Sequence, residues 1–69
     1  MPRSQEMPII VAHILEGRDR EVKTRLIRNL TDTVARTLGV PEESVRVILS
    51  EMGKEDYGIG GKTAKERGR

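Results

Sequence analysis

A chain of 69 residues with no Cys, no Trp, no Phe, one Tyr and one His is one domain at most, and it cannot hold a disulfide scaffold, a thiolate zinc site or a cysteine nucleophile. Its net charge of +2, mixed through a sequence that is 35% charged, offers neither the one-sided basic surface nor the stacking aromatics that nucleic-acid binding wants. No apolar run approaches the ~20 residues of a membrane span, and the polar opening Met1–Glu6 is unlike a signal peptide, so the expectation is a cytoplasmic protein without a nucleic-acid or membrane partner.

Residues 1–7 read as an N-terminal extension: they are polar and have no period. The composition changes at Pro8, which opens the domain expected over 8–69. Ile9–Leu15 is a short apolar, β-branched run, the pattern of a strand buried on both faces in a parallel sheet. Glu16-Gly17-Arg18 breaks it. Asp19 is placed to cap a helix, with Glu21 in the first turn. Val22, Leu26, Leu30, Val34 and Leu38 recur at every fourth position, with Ile27 widening the stripe. Gly39 is the expected stop, and Pro41 prevents continuation. Val45–Met52 reads as the second strand, ended by Gly53, and Tyr57–Gly61 as a tight turn or small hairpin. The basic residues Lys62, Lys65, Arg67 and Arg69 read as a solvated, frayed tail.

The fold class is therefore α/β (α+β): one βαβ unit, its strands parallel and its crossover right-handed, followed by a small hairpin. One helix covers only one face of a two-stranded sheet, and so few strands are marginal alone. The second apolar face must be buried by other subunits, so an oligomer is expected.

Most catalytic sets lack parts. His13 is the single histidine, no metal cluster can form around it within one chain, and its position in mid-strand suits a structural or interface role. Ser4, Ser44 and Ser50 have no evident base. Gly58-Ile59-Gly60-Gly61 has no Walker lysine pattern after it and reads as a turn. What remains is Met7-Pro8 at the start of a strand. If translation begins at Met7 and that methionine is trimmed, Pro8 carries a free secondary amine. A terminal amine titrates near ~8, and apolar surroundings with nearby cations lower that value towards the range of a good general base. Proline's fixed φ would hold the nitrogen rigidly. Arg18, past the end of the first strand, and Arg46, at the start of the second, could bind the carboxylates of a dianionic acid and stabilise an enolate-like intermediate.

Pro8-Ile9, His13-Ile14-Leu15-Glu16-Gly17-Arg18, Ser44-Val45-Arg46-Val47-Ile48, Glu51-Met52 and Gly58-Ile59-Gly60-Gly61 occur in one order. With this set the chain, from Pro8 onwards, resembles the 4-oxalocrotonate tautomerase (2-hydroxymuconate tautomerase) family. The resemblance implies a homohexamer built as a trimer of dimers. It implies cofactor-free conversion of 2-hydroxymuconate to 2-oxo-3-hexenedioate, a step in the breakdown of aromatic compounds. By matching position it makes Pro8 the base that moves a proton from the 2-hydroxyl to C5. Arg18 would bind the distal carboxylate, and Arg46, from a neighbouring subunit, the 1-carboxylate and 2-oxygen. Tyr57 stands where the family typically has Phe, and Leu15, Ser44 and Ile59 match pocket-lining positions. A relative acting on another enolic or unsaturated acid, including by hydration, is the alternative within the family.

One departure is chemical. With residues 1–7 attached, the nitrogen of Pro8 is an amide with no basic lone pair. Removal of Met1 would free Pro2 instead, up to about 20 Å upstream in an extended chain. Translation from Met7 is the favoured explanation. Later removal of the extension and loss of the activity, leaving an oligomeric binding protein, are the others.

Overall fold

The computed structural model describes residues 7–69, and the expectations for Pro2 and for residues 1–6 of the extension lie outside the described residues. Strand β1 is Ile9–Leu15, helix α1 is Arg20–Leu38, a single 3-10 turn spans Glu42–Ser44, β2 is Arg46–Met52, and the short strands β3 (Gly58–Ile59) and β4 (Lys62–Thr63) follow. β1 and β2 pair in parallel from Ile9 with Arg46 to Leu15 with Met52. The ladder runs one bond past each end: the Arg46 amide donates to the Pro8 carbonyl and the Glu16 amide to the Met52 carbonyl, each at 2.9 Å.

The expected helix forms with the expected ends. Asp19 is extended, and its carboxylate accepts from the Val22 amide at 3.0 Å, which satisfies one of the orphan donors of the first turn. Gly39 takes the left-handed conformation, φ 71°, and its amide closes onto the Ala35 carbonyl at 2.9 Å. Lys23 reaches across to Glu51 on β2 at 3.2 Å. Arg28 pairs with both Asp32 and Glu42, tying the helix to the 3-10 turn. Hydrogen bonding to Glu42 and then Asp32 holds the guanidinium still more firmly in its charged form. The 3-10 turn is an addition to the sequence expectation, and it starts β2 at Arg46, one residue later than Val45.

Strand alternation divides the sheet. Ile10, Ala12 and Ile14 of β1, with Val47 and Leu49 of β2, are half-buried. The residues between them are open: Ile9 is 56% exposed, Val11 48% and Ile48 50%. Among the described residues the buried apolar side chains are Val40, Val45 and Ala64. One chain thus leaves an apolar sheet face uncovered, as the single-helix argument requires.

The C-terminal basic segment differs from the expected frayed tail. β3 and β4 pair as an antiparallel hairpin turned by Gly60 (φ 61°) and Gly61 (φ 88°), the positive pair that a tight primed turn demands. Beyond it, Thr63 and Glu66 bond reciprocally. The Thr63 amide donates to Glu66 Oε1 at 2.8 Å, and the Glu66 amide to Thr63 Oγ1 at 3.0 Å, as in a helix capping box. Ala64 is fully buried and donates to the Tyr57 carbonyl at 2.8 Å. Arg67 Nε donates to the Ile59 carbonyl at 2.9 Å. These bonds order the segment as a chain of turns.

Candidate active site

The fold sorts the residues singled out from the sequence into two groups at opposite ends of the sheet. Pro8, Ser44 and Arg46 gather at the N-terminal end of the parallel pair. Pro8 is half-buried, and its carbonyl is bonded to the Arg46 amide, which sets the two residues side by side on strands about 4.8 Å apart. The Arg46 side chain is exposed, and its Nη1 donates to the Glu43 carbonyl at 2.8 Å. Ser44 closes the 3-10 turn, its hydroxyl donating to the Pro41 carbonyl at 2.9 Å.

Leu15 and Arg18 lie at the other end. Pro8 to Leu15 is seven strand steps, about 23 Å, so the Arg18 of a chain cannot serve the Pro8 of the same chain. Arg18 Nη1 donates to the Leu15 carbonyl at 2.8 Å, a bond that folds the side chain back over the strand end. Tyr57 and Ile59 follow the C-terminal end of β2, Tyr57 41% exposed and Ile59 half-buried in β3. His13 is exposed and pairs in register with Ser50, two residues before the Leu15 end of the strand.

The Leu15–Arg18 end borders an open cleft of about 460 Å³, whose other walls are Glu16, Gly17, Lys54 and Arg69. Sequence reasoning missed Lys54 and placed Arg69 in a loose tail. Their link to Arg18 is made only by the Gly53–Asp56 turn and the C-terminal turns, which carry no periodic signal. Among the described residues no group of three or more His, Asp or Glu side chains gathers as a metal site, and no helix is long and apolar enough to cross a membrane.

Chemically, one end offers a nitrogen at a strand start beside a cation. The other offers a cationic, partly apolar cleft. The two groups of residues lie at opposite ends of the sheet, on surfaces that can meet only between copies of the chain.

The family model described as tautomerase enzyme matches residues 8–67. A 2-hydroxymuconate tautomerase of Stutzerimonas stutzeri is 52% identical over 63 residues, covering 91% of this chain and 100% of that protein. Among solved structures, TomN, a 4-oxalocrotonate tautomerase homologue in the tomaymycin biosynthetic pathway, superposes with a TM-score of 0.84 at 40% identity, covering 87% of this chain and 92% of that one. A heterohexameric 4-oxalocrotonate tautomerase from Chloroflexus aurantiacus superposes with a TM-score of 0.82 at 33% identity, covering 87% and 97%.

Proposed function

The chain belongs to the tautomerase family and is an isomerase, and on that premise we propose that it converts 2-hydroxymuconate to 2-oxo-3-hexenedioate with Pro8 as general base. The observation that carries this reading is that Pro8 opens the parallel pair in a chain about half identical to a 2-hydroxymuconate tautomerase. The free amine of Pro8 takes the proton of the 2-hydroxyl and returns it at C5. The double bonds shift from C2–C3 and C4–C5 to leave a 2-oxo group and one double bond at C3–C4, so a single proton moves and no cofactor is needed. Arg46, from a neighbouring copy, binds the 1-carboxylate and the 2-oxygen, where negative charge develops, and preorganised cations there lower the barrier. Arg18 of another copy binds the distal carboxylate. Leu15, Ser44, Tyr57 and Ile59 wall the pocket.

The working form is a homo-oligomer, a hexamer built as a trimer of dimers. The uncovered Ile9, Val11 and Ile48 and the separation of the two groups of site residues support assembly. The heterohexameric relative supports the number. The activity also requires that the polypeptide begin at Pro8. That the family match starts at this residue supports reading the preceding residues as outside the catalytic unit. Mass spectrometry of the protein isolated from its own cells tests the point: an N-terminal Pro8 is expected, and an intact Met1–Met7 segment in active protein would overturn the mechanism.

A second reading, a different enolic or unsaturated acid, is favoured by Tyr57, whose hydroxyl adds a polar group where the family typically carries a phenyl ring. Rates on 2-hydroxymuconate, phenylenolpyruvate and halogenated acrylates, measured with protein beginning at Pro8, separate the two.

A further inference from the structure

The hairpin β3–β4 is too short to hold itself. Each strand has two residues, and a free-standing two-stranded hairpin is marginal in water even when longer. Ile59 is nevertheless half-buried in β3, so support from outside the ladder fixes it. Part of that support is backbone: the Ala64 amide reaches the Tyr57 carbonyl at 2.8 Å. Arg67 is the side chain that reaches Ile59 itself, its Nε donating to the Ile59 carbonyl at 2.9 Å from eight residues away. The guanidinium then continues over the turn. A β-carbon at Gly60 would stand 3.1 Å from Arg67 Nη2, closer than ordinary van der Waals contact. The planar group therefore fills the room that a side chain at position 60 would need, and Gly60, at φ 61°, leaves that room open. The base of Arg67 is fixed as well. Its amide is shared between the Thr63 and Ala64 carbonyls, each at 3.1 Å. A set backbone and a rigid planar fork lose little freedom in making the bond to Ile59. Arg67 is exposed and lies outside the buried set of Val40, Val45 and Ala64, so it holds the hairpin rather than the core.

We propose that Arg67 is a positioning residue: its guanidinium clamps the β3–β4 turn and thereby holds Ile59 in place as a wall of the substrate pocket. The inference rests on the pocket role given to Ile59 in the function proposed above and deepens it. Arg67 acts through Ile59 and needs no contact with substrate. Within a chain, Pro8 and Arg46 belong to the opposite end of the sheet, so the clamp serves to hold the body of the substrate rather than to move its proton. An apolar wall meets the ground state and the transition state alike. Loss of such uniform binding raises KM and leaves kcat nearly as it was.

The test uses protein beginning at Pro8 and two variants: Arg67→Met, which keeps an apolar stem without a donor, and Arg67→Lys, which restores a cationic donor. In Arg67→Met, KM is expected to rise about fivefold, the scale of one exposed hydrogen bond, with kcat changed by less than about twofold. Amide hydrogen exchange over residues 58–64 should quicken by about the same fivefold, while the size of the oligomer and exchange in β1 and α1 stay as in the unsubstituted protein. Arg67→Lys should recover part of both effects. A KM that does not move, exchange over 58–64 that does not change, or an Arg67→Lys protein no better than Arg67→Met overturns the proposal. Should Arg67→Met fail to assemble, the residue holds the fold rather than the wall, and the proposal fails. Rates are read on 2-hydroxymuconate and on phenylenolpyruvate. Turnover of the second alone refutes the proposed substrate, and the clamp is then decided by KM on that compound. Turnover of neither refutes the proposed function, and exchange decides the clamp: faster exchange over 58–64 in Arg67→Met supports it, and equal exchange overturns it.

Discussion

Pro8 sits where strand geometry and charge both act on its nitrogen. The ladder bond from the Arg46 amide to the Pro8 carbonyl fixes the first residue of the domain against the second strand, and the ring fixes φ. A free amine there has the Arg46 cation as a strand neighbour. In the proposed form that begins at Pro8, a like charge disfavours the protonated amine, so its pKa is expected below the ordinary ~8. The sign of the resulting pH dependence follows. The base works unprotonated, so kcat/KM rises with pH through that pKa and levels above it. In Arg46→Ala the repelling charge is gone, the pKa moves up, and the rising limb of the profile shifts to higher pH. The same variant should lose about 100- to 1,000-fold in kcat, the scale of removing one preorganised donor from developing oxyanion charge. Pro8→Ala should lose about 100-fold or more, although alanine keeps a primary amine. Profiles of the two variants beside the unsubstituted protein check all of this, and a rising limb that stays fixed in Arg46→Ala would show that the arginine does not tune the base.

At the scale of elements, the helix depends on its ends as well as on its stripe. Gly39 holds φ 71°, a conformation that costs an L-residue roughly 1–2 kcal/mol. Gly39→Ala should therefore destabilise the protein by about 1 kcal/mol, part of the strain being offset by the reduced entropy of the unfolded chain. Gly39→Asn, which tolerates the left-handed region better, should lose less. Urea titrations at one fixed protein concentration compare them, since assembly couples stability to concentration. Both ends of this helix were legible in the sequence, because caps are local chemistry: Asp19 and Gly39 each act within four residues. The strands were legible for the same reason, through unbroken β-branched runs. The C-terminal turns were not. Thr63 and Glu66 cap each other without a following apolar period to announce it, and Ala64 is buried because it is small and close to Tyr57, not because its neighbours are apolar. Lys54 and Arg69 escaped notice with them, since only those turns carry them to Arg18.

For the whole molecule, the separation of Pro8 and Arg18 along β1 is the controlling fact. The seven-step strand puts Pro8 about 23 Å from Leu15, onto whose carbonyl Arg18 folds, at opposite ends of a sheet whose open face carries Ile9, Val11 and Ile48 about half exposed. Burying such side chains fully is worth about 1.5–3 kcal/mol each, and half of that is still available to a second copy. A two-fold pairing that covers this face with the strands of the two copies antiparallel would set the Pro8 end of one copy against the Arg18 end of the other, and would do so twice, since the contact is self-complementary. Every site then takes its base from one copy and its distal carboxylate group from another. That arrangement predicts complementation. Oligomers made only of Pro8→Ala or only of Arg18→Ala have every site damaged. When equal amounts are unfolded together and reassembled at random, a site receives an intact Pro8 half of the time and an intact Arg18 half of the time. One half of one half gives about one quarter of the unsubstituted activity, the consequence of a shared interface site. Mixing without unfolding should recover little. Recovery that never exceeds the mean of the two variants would place both residues of each site on one chain, which the length of β1 forbids unless the strand pairing itself is different in the working enzyme.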